Sequence, residues 1–183
     1  MDVVLLASVE VVLPVLALLF EHVGNVRISE RHHRHHDTYV VPVPFTRGLV
    51  LAMAFMSVLG LVLGWLCAAL EFLPEALPVF AFFDAFIVTC FVMWAVLRRY
   101  KVSVFDERLM ITPFLGPDAT VRYDRIDVMQ WTGLRKGSGY RDLVIWAGGR
   151  RVGRLSGMVD IEQILMAIDR FDALPREEKG IIS

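Results

Sequence analysis

"GLVLAMAFMSVLGLVLGWLCAAL", residues 48–70, decides the fold of this chain, because it runs its whole length without a charge. The hydrocarbon core of a bilayer is about 30 Å thick and is crossed by roughly 20 mostly apolar residues in a helix. Residues 48–70 therefore read as a membrane span. A second run, "ALPVFAFFDAFIVTCFVMWAVL" at 76–97, carries one charge, Asp84. The link "EFLPE", residues 71–75, is so short that the two spans must return antiparallel, which makes 48–97 a transmembrane hairpin. Upstream, "VVLLASVEVVLPVLALLF" at 3–20 is shorter and contains Glu10 and Pro14. It begins Met1-Asp2 and ends Phe20-Glu21-His22, without the basic start and small-residue cleavage site of a signal peptide. Residues 1–22 are read as a retained first span.

The totals agree. Of 183 residues, 56% are hydrophobic and the mean hydropathy is +0.54. An ordinary soluble domain has about 45–50% apolar residues. The long apolar runs lie in the first half of the chain and the charge gathers in the second, as expected for a membrane part followed by a water-soluble part. The formal net charge of −1, and the lack of a basic stripe interleaved with aromatics, argue against nucleic-acid binding. Cys67 and Cys90 both sit in apolar runs with no CxxC spacing, so they read as packing residues. There is no Gly-rich phosphate loop, GxSxG, HExxH or motif-placed carboxylate pair, so the chain is not read as an enzyme.

Direction follows from the placement of Arg and Lys. The 23–47 loop carries Arg27, Arg31, Arg34 and Arg47, the 71–75 link carries only Glu71 and Glu75, and Arg98, Arg99 and Lys101 follow the third span. This predicts a multi-pass protein of the bacterial inner membrane with its N-terminus outside and its C-terminal part cytoplasmic. Trp65 and Trp94, near span ends, would sit in the interfacial aromatic belt.

From Tyr100 the period changes to two. "YKVSVF", "RLMIT", "ATVRY", "RIDVMQW", "DLVIWA" and "RRVGRL" read as about six antiparallel strands. "PFLGPD" is a loop, and Gly148-Gly149 is a two-residue hairpin signal. Asp160 is a candidate N-cap with Gln163 completing a capping box. Ile161, Ile164, Leu165, Ile168 and Phe171 then fall on one helical stripe, and Pro175 ends it. The expected fold is thus a three-helix membrane bundle followed by a small α+β domain at 98–175, a bent antiparallel sheet closed by one helix, with a tail at 176–183.

"DERL" at 106–109, "RIDV" at 125–128 and the helix entry from Gly157 to Ile164 resemble the bacterial pleckstrin-homology-like domain family. The resemblance covers the C-terminal part alone. It implies a PH-like barrel on the cytoplasmic side of the membrane, and a binding module in place of an enzyme.

Four groups of residues are candidate sites. His32, His33, His35 and His36 flank Arg34 within "RHHRHH". Imidazole is a good ligand for zinc, copper or haem iron. Arg31 and Arg34 would repel a cation, and no cysteine accompanies the cluster, so it reads first as a basic loop at the lipid headgroups. A metal site and a pH-responsive contact are its alternatives. Glu10 and Asp84 are intramembrane acids with no Lys or Arg in any span to neutralise them. They read as protonated, hydrogen-bonded acids, with a partner-facing contact or a proton or ion path as alternatives. Gly60, Gly64 and Ala68 form a small-residue stripe for helix packing, within the chain or in a homo- or hetero-oligomer. Arg98, Arg99 and Lys101, with Arg135 and Lys136 in "LRKGSGYR", would face anionic lipid.

The function expected from these features is that of an accessory or scaffold protein holding a membrane or membrane-associated protein partner at the bilayer, with no cofactor. A metal- or haem-binding membrane subunit is the alternative reading. A subunit of a transport complex is the third.

Overall fold

The computed structural model describes residues 3–29, 37–69, 76–133 and 141–174. The chain forms two compact units, one of helices and one of sheets.

The helical unit contains α1 (Val3–Ser29), α2 (Val43–Ala69) and α3 (Ala76–Arg99). All three are long and apolar enough to cross a membrane, over Val3–Val23, Val43–Ala69 and Ala76–Arg99. Their outward surfaces are apolar and uncovered: Leu51, Phe55, Val58 and Phe82 are all more than 60% exposed. In water such a surface would be prohibitive, whereas lipid is as apolar as the side chains. The helices meet through small residues. A Cβ at Gly64 would strike the Phe80 ring, and one at Gly60 would strike Glu10 and the Phe83 Cβ. α2 therefore packs through its glycines, with Val50, Met53 and Ser57 continuing the same buried face. Ala17, Val50, Met53, Cys90 and Trp94 form a second apolar cluster contributed by all three helices.

Among the described residues the sheet unit has seven strands. β1 (Asp37–Val40), β2 (Lys101–Val104), β3 (Arg108–Thr112) and β4 (Ala119–Arg122) form one antiparallel sheet in that order. β5 (Ile126–Thr132), β6 (Asp142–Ala147) and β7 (Arg150–Leu155) form the other. Both irregularities in register, at Ile126/Val128 and Ile145/Trp146, lie in the second sheet, where bulges increase bend and twist. The two sheets share one core with α4 (Ile161–Ile168): Val102, Leu109, Ile111, Met129, Leu143, Ile145, Leu155 and Ile164 are at most 1% exposed. Gly153 of β7 lets the Ile111 side chain of β3 come close, where a Cβ would lie 2.6 Å from its Cδ1. The β6–β7 turn has Gly148 at φ +60° and Gly149 at φ +70°, as the Gly-Gly pair predicts. Asp160 caps α4 by accepting the Gln163 N–H at 3.0 Å.

Four expectations are corrected. The 23–47 stretch is not one loop. α1 continues to Ser29, α2 starts at Val43, and Asp37–Val40 is an edge strand hydrogen-bonded to β2. Tyr39 and Val41 anchor that strand in the shared core, which gives the segment a reason to pair. Second, Phe171 does not extend the helical stripe. Asp169 turns left-handed at φ 48° and closes α4, leaving Phe171 51% exposed in a short 3-10 turn. Third, Trp94 does not face lipid: it is 4% exposed, inside the bundle. Fourth, Ala68 leaves the stripe of Gly60 and Gly64, being exposed while Cys67 is buried in its place.

Candidate functional sites

Inside the helical unit the two intramembrane acids face the bundle. Glu10 of α1 is fully buried and Asp84 of α3 is 7% exposed. They lie within electrostatic range of one another. Gly60 of α2 opens the space for the Glu10 carboxyl, beside Phe83. All four carboxyl oxygens lack a hydrogen-bond partner among the described residues. Two of the four sequence-predicted groups thus converge at one place, since Gly60 of the small-residue stripe makes the room that Glu10 fills.

A second polar cluster lies further along the helices. Glu21 of α1 accepts from the Thr46 hydroxyl of α2 at 3.2 Å and from the Trp94 indole N–H of α3 at 3.4 Å. One carboxylate so ties all three helices together. Sequence reading treats Glu21 only as the end of a span. Its partners are 25 and 73 residues away, so no local pattern announces them.

In the sheet unit, Trp131 of β5, Arg141, Gly157, Val159, Asp160, Ile161 and Glu162 line an open cleft of about 380 Å³. Asp142 shapes its wall. Its carboxylate accepts the Gly157 N–H at 2.8 Å and pairs with Arg154, fixing the turn that leads into α4. Ser156 N–H donates to the Tyr100 hydroxyl at 2.7 Å, tying the same turn to the start of β2. The cleft offers one guanidinium, two carboxylates, an indole face and aliphatic side chains. That chemistry suits a peptide or protein surface. No nucleophile–base pair lies in it, and among the described residues no three His, Cys, Asp or Glu side chains cluster as a metal site would require.

Of the cationic group, Arg98, Arg99 and Lys101 are exposed at the junction of α3 and β2. Arg99 donates to the Gly116 carbonyl at 2.5 Å, so it also holds the 113–118 loop. Arg135, Lys136, His32, His33, His35 and His36 lie outside the described residues.

No protein-family model, no curated protein and no solved structure matches this chain.

Proposed function

We propose that the chain is a non-enzymatic membrane protein whose sheet domain holds a protein partner at the bilayer surface, as an accessory or scaffold subunit. The domain is read as a PH-like module on the cytoplasmic face of a bacterial inner membrane, with the N-terminus outside and lipid around the helices. The four- and three-stranded antiparallel sheets with a C-terminal helix support that reading. So do "DERL", "RIDV" and the inward-side arginines.

The observation that carries the proposal is the β1–β2 pairing. β1 ends three residues before α2, and β2 begins two residues after α3. The sheet domain is therefore attached through both ends of the transmembrane hairpin. Two attachments restrain a domain's tumbling more than one, which lowers the entropy a partner must remove on docking. The open cleft at Trp131 and Arg141 supplies a surface for that partner.

The test is gentle purification of the full chain from its native membranes, with mass spectrometry of what accompanies it. The reading expects a stoichiometric membrane or membrane-associated protein, lost in the Trp131→Ala and Arg141→Glu variants and kept in a Met166→Ser variant on the exposed face of α4. It also expects no stoichiometric haem or metal in the same sample. A partner-free preparation, or one with bound haem or zinc, overturns it.

A further inference from the structure

A carboxylate buried without a counter-charge is among the least favourable arrangements available to a protein. In a membrane no bulk water offsets that cost. Here two carboxyls are buried in the same bundle. Phe83, the residue before the buried Asp84 of α3, meets Gly60 beside the Glu10 carboxyl, and α2 contributes Gly60 and, one turn along the same buried face, Ser57. Among the described residues the other buried titratable groups of these helices are the thiols of Cys67 and Cys90. Glu21, eleven positions further along α1, is already engaged by Thr46 and Trp94. No Lys, Arg or His lies within 3–20, 48–69 or 76–97, so no protein cation in the spans can neutralise the pair.

An ionised carboxylate only accepts hydrogen bonds, whereas its acid form also donates one. Among the described residues the four carboxyl oxygens have no donor. The backbone adds a further acceptor. Pro14 has no N–H to give the Glu10 carbonyl four residues earlier in α1, and Pro14 is itself buried. Among the described residues the site thus has acceptors in excess and donors in deficit, and correcting the charge as well takes a cation. Proton uptake supplies both the positive charge and the missing donors, converting each carboxylate to its acid. A metal cation would supply charge alone and would need more oxygen ligands than the two side chains offer.

We propose that Glu10 and Asp84 form an intramembrane proton-binding site, in which protons held by the pair are the condition for α1 to pack against α2 and α3. The reaction is simple protonation, carboxylate plus proton to carboxylic acid, with no other bond made or broken. Release of the protons leaves two like charges buried in one bundle. The expected consequence is that α1 separates from Gly60 and admits water.

The full chain in lipid nanodiscs tests this. A hydrophobic carbodiimide reacts with protonated carboxyls in a membrane, so near neutral pH it should modify Glu10 or Asp84, with loss of the adduct in Glu10→Gln plus Asp84→Asn. Infrared spectra should show a protonated-carboxyl band that is absent from that double variant and disappears from the wild type at alkaline pH. The amide variants keep size and hydrogen-bonding capacity, so their helix content and melting should be insensitive to pH where the wild type is not. Absence of both adduct and band in correctly assembled wild-type protein overturns the proposal. Protection of the carboxyls by sodium or lithium at constant pH also overturns it, and would assign the site to a metal cation.

Discussion

Tyr123 shows how one hydroxyl can hold a turn. It follows β4, and its O–H reaches the carbonyls of Phe105 at 2.5 Å and Arg108 at 3.0 Å, on either side of the β2–β3 turn. Burial pushes its hydroxyl from the ordinary value of 10.0 up to about 12. A group whose folded value is raised keeps its proton in the native state after the unfolded chain has lost it. Its stabilisation is therefore complete below pH 10 and is lost as the pH rises through 12. Tyr123→Phe should lower the stability of the sheet domain at neutral pH by about 1 kcal/mol, the typical net worth of a hydrogen bond. It should also flatten the alkaline limb between pH 10 and 12. Thermal melts of the full chain, followed by near-ultraviolet circular dichroism across that range, read both effects. An unchanged alkaline limb would show that Tyr123 does not titrate with unfolding. Nothing in "VRYDRI" signals this role, because the sequence shows an aromatic at a strand end but not the two carbonyls it meets.

Among the elements, the glycines of α2 separate local pattern from tertiary fact. The spacing of Gly60, Gly64 and Ala68 marks a close-packing face and leaves its partner open. The partner proves to be inside the chain, with Phe80 over Gly64 and Glu10 with Phe83 over Gly60. Gly64→Leu should therefore weaken the bundle itself. Inserting a large side chain into a filled space typically costs about 1–3 kcal/mol, and more where it meets a rigid ring. The measurement is the melting temperature in detergent together with protease resistance of the helical unit. A large drop is expected even in dilute samples, where association between copies is suppressed, and a drop confined to concentrated samples would point to an oligomer contact. The helices were readable because lipid imposes length and apolarity directly on the sequence. α4 was readable because its cap and its stripe are local. β1 was not. "DTYV" is four residues with an exposed, exposed, half-buried, exposed pattern, beside a histidine cluster that dominates the composition. An edge strand of that length becomes visible only through its partner, and its partner lies beyond two membrane helices.

For the molecule as a whole, β1–β2 pairing makes a topological demand. Residues 37–40 and 101–104 share one sheet, so both ends of the α2–α3 hairpin open on the same side of the bilayer. The pairing requires only that the two ends share a side and does not say which side that is. It also means that the sheet domain is continuous in space but interrupted in sequence, with the hairpin inserted after its first strand. Thr38 and Ser103 stand directly opposite one another, their hydroxyls 3.3 Å apart. Directly opposed residues on antiparallel strands have Cα atoms about 4.5–5.5 Å apart, within the range a disulfide spans. With the two native cysteines, Cys67 and Cys90, replaced by alanine, Thr38→Cys plus Ser103→Cys should cross-link under mild oxidation in intact membranes. A protease site placed in the 71–75 link should then leave the two halves joined until reductant is added. The pairing of Thr38→Cys with Gln130→Cys, on an exposed position of the other sheet, should not cross-link. Failure of the Thr38–Ser103 bond would detach β1 from the domain, leave the domain hanging from α3 by a single connection, and remove the restraint that favours partner docking.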